Sequence, residues 1–169
     1  MAAFLPPAPR PPSMQLDPEL VAFTQQGVSM HVASCSADGV ASLCRPVGIR
    51  ISGDRDRVTV LLLASQAGEL LADFGTNGRV ALVVTLPTTH RTVQLKGDDA
   101  ALEPLQDGDH ALVARYREAF VAELAKMGFD SSRPQALLAG ARGDLVAVAF
   151  TVRALFNQTP GPAAGARLS

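Results

Sequence analysis

The 169-residue sequence predicts a mainly β chain of the α+β class: a small antiparallel barrel with flanking helices. Three observations carry this expectation. Short β-rich segments follow one another closely and are joined by Asp-Gly and Gly-rich turns, as antiparallel hairpins require. One segment, RVTVLLLA at 57–64, is almost continuously apolar, which suits a strand buried on both faces. A long segment at 109–127 carries apolar residues at three- and four-residue steps, the spacing of a helix packed along one side.

The first 15 residues hold five prolines, Pro6, Pro7, Pro9, Pro11 and Pro12, which favour extended polyproline conformations and cannot build a core. Residues 1–15 are therefore predicted to be a flexible arm, residues 16–157 the folded domain and residues 158–169 an irregular tail. Asp17 is placed to cap a short helix with Pro18 in its first position, and Gly27 to end it in the left-handed conformation. Segments 28–35 and 40–51 form a hairpin about Ala37-Asp38-Gly39. With Asp38-Gly39 as the central pair of a type I′ turn, Ala37 faces Val40 and Cys35 faces Ser42. Cys44 then shares a face with Cys35, and a one-residue slip would separate them.

Segment 57–64 is the buried strand, and Ser65 reads as the cap of a helix at 66–74 that Gly75-Thr76-Asn77-Gly78 ends. Segments 79–86 and 90–98 are strands, the second alternating Val93 and Leu95 with Thr92, Gln94 and Lys96. Leu112, Val113, Tyr116, Phe120, Leu124 and Met127 mark the long helix, which Gly128 stops. A short helical segment at 134–139 and a strand at 145–156 complete the order.

Composition narrows the function classes. Lys plus Arg is 15 and Asp plus Glu is 16, a net charge of −1. That balance gives no electrostatic reason to expect nucleic acid or an anionic membrane, and leaves little self-repulsion to oppose oligomerisation. No apolar run reaches the ~20 residues of a membrane span, and the proline-broken N-terminus lacks the apolar core of a leader, so the cytoplasm is the expectation. Cys35 and Cys44 form no disulfide framework. His31, His90 and His110 are scattered without metal-ligand spacing and read as structural or surface residues. The chain has no P-loop, no GxGxxG fingerprint and no nucleophile elbow.

Three segments together carry a family resemblance: VASCSADGVASLCRPV, SQAGELLADFGTNGRVALVV and RTVQLKGDD. In this order, over about residues 28–97, they resemble the FMN-binding split barrels related to pyridoxamine 5′-phosphate oxidase. The resemblance implies a split β-barrel, a homodimer with its ligand groove at the interface, FMN as cofactor and a small-molecule substrate. It also implies a flavoprotein oxidoreductase, in which FMN carries the hydride and the protein orients the substrate. It assigns Arg45 to the flavin or its phosphate, Pro46 and Val47 to the ring's surroundings, Ser65 to the phosphate-binding turn and Gln94 to the flavin's side. On the residues alone, Arg45 is equally an edge-strand arginine, Ser65 a helix cap and Gln94 a solvated strand residue.

One departure stands out. Where the family has Ser-x-Lys, this chain has Ser65-Gln66-Ala67. Losing one cation-phosphate contact weakens binding by roughly 1–3 kcal/mol, or about 5- to 150-fold. Arg50, Arg79 and Arg91 are the candidates to replace it. The ending Arg167-Leu168 resembles the Arg-Leu that holds substrate in true pyridoxamine phosphate oxidases, but this chain has no Trp to supply the aromatic surroundings. The alternative is a non-catalytic binding protein holding a flavin, haem or other flat ligand on the same barrel.

Overall fold

The computed structural model describes residues 12–130 and 142–168. The segment predicted to be helical at 134–139 and all but the end of the proline-rich arm lie outside the described residues. In order come α1 (Pro18–Thr24), β1 (Ser29–Cys35), β2 (Ala41–Cys44), β3 (Gly48–Ile51), β4 (Arg57–Leu63), α2 (Gly68–Asn77), β5 (Val80–Thr85) and β6 (Thr92–Gly97). Then follow β7 (Ala101–Glu103), α3 (Asp109–Ala125), β8 (Leu145–Thr151), β9 (Ala154–Asn157) and β10 (Arg167–Leu168). The strands form a six-stranded sheet, β10-β9-β6-β5-β1-β2, and a four-stranded sheet, β3-β4-β8-β7. The mainly β, α+β split barrel expected from the sequence is what forms.

The two sheets share one core. Met30, Val32, Leu82, Val84 and Leu95 of the first sheet are fully buried, as are Val58, Val60, Leu61, Leu62 and Phe150 of the second. β4 is buried at every position after Arg57, in line with its unbroken apolar run. The segments predicted as single strands at 40–51 and 145–156 each break in two. The chain crosses between sheets at 45–47 and again at 152–153, because closing the barrel makes a strand turn a corner. β7 is a short edge strand on β8 that the pattern did not announce.

The first hairpin departs from its expected register. Ser36 pairs with Val40, Cys35 with Ala41 and Val32 with Cys44. Three residues, 37–39, form the loop, with Gly39 at φ 80° supplying the left-handed residue of a three-residue turn. The slip puts Cys35 and Cys44 on opposite faces of the sheet. Asp17 caps α1 as expected, accepting a bond from the Leu20 N–H at 2.7 Å. Gly27 has another role than the one predicted. It is absent from the left-handed glycines, and a Cβ there would lie 2.2 Å from the Ala119 carbonyl oxygen of α3. Ser65 does not cap α2, which begins after it and has no side-chain cap.

α3 is fixed at both ends. Near its start, Arg50 of β3 donates to Asp109 (3.0 Å) and Glu103 (2.6 Å). Near its end, the Thr88 hydroxyl donates to Glu123. Between them the Tyr116 hydroxyl donates to the Val28 carbonyl at 2.9 Å. The tail predicted to be irregular folds back. Gly165 N–H bonds the Asn157 carbonyl at 2.7 Å, and Arg167–Leu168 pairs with β9. Pro12–Asp17 is likewise anchored rather than loose, with Met14 N–H on the Val152 carbonyl and Leu16 fully buried. Among the described residues no helix is long and apolar enough to cross a membrane, and no group of three His, Cys, Asp or Glu is placed to hold a metal.

Candidate functional site

The six-stranded sheet has two faces. Even-numbered β1 residues Met30 and Val32 face the core, while His31, Ala33 and Cys35 are only half-buried on the outer face. The register carries that outer face across the sheet. His31 pairs with Val83, Val83 with Gln94, Gln94 with Phe156 and Phe156 with Arg167. Arg45, one residue past β2, sits in register opposite His31. A single cross-strand row therefore runs Arg45, His31, Val83, Gln94, Phe156, Arg167. The neighbouring row runs Leu43, Ala33, Ala81, Lys96, Ala154, so that the methyl groups of Ala33 and Ala81 form a flat floor between Leu43 and Lys96. Lys96 lies with its ammonium 5.0 Å from the Phe156 ring centre.

Arg45 is held in place. Its guanidinium donates to the Ser29 hydroxyl at 3.2 Å and lies 3.2 Å from His31 Nε2. It also lies 5.7 Å from the centre of the Phe120 ring, which stacks with Tyr116 on α3. A guanidinium only donates, so His31 Nε2 must accept and the ring proton sits on Nδ1. Burial and then the Arg45 charge lower the His31 pKa, keeping the imidazole neutral. Burial raises the Tyr116 pKa despite the same arginine, so the phenol stays protonated and donating. The outcome is a fixed cation beside a neutral imidazole with one N–H, at one end of a half-buried sheet face. Gln94 stands two strands away, and its amide oxygen accepts from Gln158 at 3.3 Å.

The other predicted residues lie elsewhere. Pro46 and Val47 are buried at the corner between the sheets, and the Val47 N–H is taken by the Leu61 carbonyl at 2.8 Å. Ser65 is exposed in a short 3-10 turn after β4. Its N–H and hydroxyl both donate to Asp144, at 2.8 and 2.5 Å. Ala67, where the family pattern has lysine, is buried with 1% exposure. Of the three candidate replacements, Arg50 is held by Asp109 and Glu103 and Arg91 by Glu19 at 2.9 Å, whereas Arg79 is exposed beside Ala33, Ala81 and Lys96. For FMN, the ring end fits: a flat floor, a cation and a neutral imidazole N–H. The phosphate end does not fit, since the Ser65 donors already hold a carboxylate.

His31 is the residue that sequence reading missed. The available signal was its parity with Ala33 and Cys35 in an alternating strand, but only the corrected hairpin register sets Arg45 opposite it.

No protein-family model matches the chain, and no curated protein sequence matches it. Solved structures do match. HupZ of Group A Streptococcus is 15% identical, with 89% of this chain and 100% of that chain covered and a TM-score of 0.53. A candidate pyridoxamine 5′-phosphate oxidase from Lactobacillus delbrueckii is 17% identical, with 84% and 93% covered and a TM-score of 0.52. A pyridoxamine 5′-phosphate oxidase-related, FMN-binding protein from Nostoc punctiforme is 12% identical, with 89% of each chain covered and a TM-score of 0.48. The architecture built above is thus the split-barrel fold of pyridoxamine 5′-phosphate oxidase-like proteins.

Proposed function

We propose that this chain is a flavin-binding split-barrel protein, acting as a homodimer through the outer face of its six-stranded sheet. The further proposal is that it is an oxidoreductase for a small molecule. The row Arg45–His31–Val83–Gln94–Phe156–Arg167 carries this reading. It sets aromatic and aliphatic surface between polar residues at both ends, the make-up of a site for a planar ligand. A bound flavin supplies a two-electron acceptor. The chain's own part is orientation: Arg45 offers positive charge, His31 Nδ1–H one donor, and the alanine floor a flat apolar support. Neutral His31 and protonated Tyr116 keep the Arg45 charge uncompensated, so it favours electron density on a ring set beside it.

Reconstitution tests this. Protein incubated with a flavin and desalted is expected to retain a perturbed absorption band near ~450 nm. Arg45→Ala should raise the flavin Kd by about tenfold, the scale of one charge-assisted contact. Unchanged affinity in that variant would remove Arg45 from the site.

A second reading has its own observation. With Asp144 on the Ser65 turn and Ala67 buried, the hold on FMN is weak, which suits a non-catalytic protein for a flat ligand such as a flavin or haem. Stable binding without turnover of reduced nicotinamide or deazaflavin would favour it over the oxidoreductase.

A further inference from the structure

We infer that Asp144 determines ligand specificity: the pairing of β3 with β4 brings the Ser65 turn toward the corner that carries Arg45, the Asp144 carboxylate fills the anion-binding atoms of that turn, and a planar ligand bound beside Arg45 therefore gains no phosphate contact there. The flavin reading supplies the identity of the ring; the exclusion of phosphate comes from the turn itself. The Ser65 N–H and hydroxyl converge on separate oxygens of a single carboxylate, at 2.8 Å to Oδ1 and 2.5 Å to Oδ2. That two-donor, two-acceptor pairing is how a turn holds one edge of a phosphate group. An incoming phosphate dianion would have to displace Asp144 and then remain close to a second negative charge. The surroundings add to the cost. Glu69 lies in the first turn of α2, and Ala67 turns a methyl group into the core. Arg45, Arg50 and Arg91 are bonded to other groups, and Arg79 lines the sheet face with Ala33, Ala81 and Lys96. A neutral side chain, such as the ribityl chain of riboflavin, meets none of these obstacles.

The test compares FMN with riboflavin on the full chain, in the wild type and in Asp144→Ala and Asp144→Asn; the amide variant keeps the side-chain size in case the alanine variant fails to fold. Affinities are read from quenching of flavin fluorescence. In the wild type the two Kd values should agree to within about threefold, because the phosphate gains no contact. Removing the carboxylate should tighten FMN by about tenfold or more and leave riboflavin within about twofold. A wild type that prefers FMN by tenfold or more, or a ratio that stays the same in the variants, overturns the inference. A separate readout covers failure of the flavin reading itself, in which neither flavin binds. Inorganic phosphate is then titrated while the Ser65 amide is followed by NMR. A saturable shift in Asp144→Asn that the wild type lacks supports the role of Asp144; no shift in the variant, or equal shifts in both proteins, overturns it.

Discussion

Protonating His31 would set an imidazolium against the Arg45 guanidinium 3.2 Å away. Burial, then that charge, places its folded pKa below the ordinary 6.5. As pH falls through 6.5, the unfolded chain takes up the proton first, so stability declines with it. The loss is complete once pH passes below the folded value. His31→Gln retains an acceptor for Arg45 and removes the titration, so its urea midpoint should stay flat below pH ~6.5 where the wild type declines. A parallel decline in both proteins would assign the effect to other groups. Two carboxylates add a dependence that opens at lower pH. Glu123 is held below its ordinary value by Lys126 and Thr88. Asp99 is held low because Thr151 and Arg153 outweigh its burial. Their stabilisation begins to fall near the ordinary carboxylate values, below the 6.5 at which the His31 effect opens, and is lost as pH falls through the lowered ones.

Helix α3 and the chain leaving α1 approach each other at a single glycine. Gly27→Ala would bring a Cβ to 2.2 Å from the Ala119 carbonyl and 2.7 Å from Glu123 Cβ, the backbone and a Cβ of the same helix, α3. Neither can rotate away, so the variant should lose about 2–3 kcal/mol, read as a lower denaturant midpoint at an unchanged slope. A midpoint within error of wild type would mean that α3 shifts freely. This site also marks what the sequence could reveal. The periodic apolar residues of α3, the unbroken run of β4 and the Asp17-Pro18 start all predict their elements, because each depends on residues nearby in sequence. The role of Gly27 depends on Ala119, a helix far along the chain, and no local pattern carries it. The corners at 45–47 and 152–153 have the same origin: closing the barrel, not strand propensity, breaks two β-rich segments. A one-residue difference in the first loop decided which face held each cysteine and which residue faced Arg45. Arg45 and Gln94 were legible as candidates, but the contacts of His31 with Arg45 and of Asp144 with Ser65 arise only through pairings across the fold.

At the scale of the whole molecule, the outer face of the six-stranded sheet is the open question that one measurement settles. It carries Ala33, Leu43, Ala81, Val83 and Phe156, with Leu43 63% exposed. Sheet faces of this make-up are normally covered, and a stable partner would bury about 800 Å² on each side. A second copy placed there would also cover the row from Arg45 to Arg167 and exclude water from a planar ligand lying against it. Light scattering at micromolar concentration should therefore report a dimer. Leu43→Asp sets a charge on this face next to Ala33 without entering the core, so the monomer should stay folded. The variant is expected to elute as a monomer with an unaltered far-UV spectrum and to lose retained flavin together with the dimer. A dimer that survives the substitution would place the interface elsewhere. A monomeric variant that still retains flavin would separate the ligand site from the interface, and leave one sheet face sufficient to bind the ring.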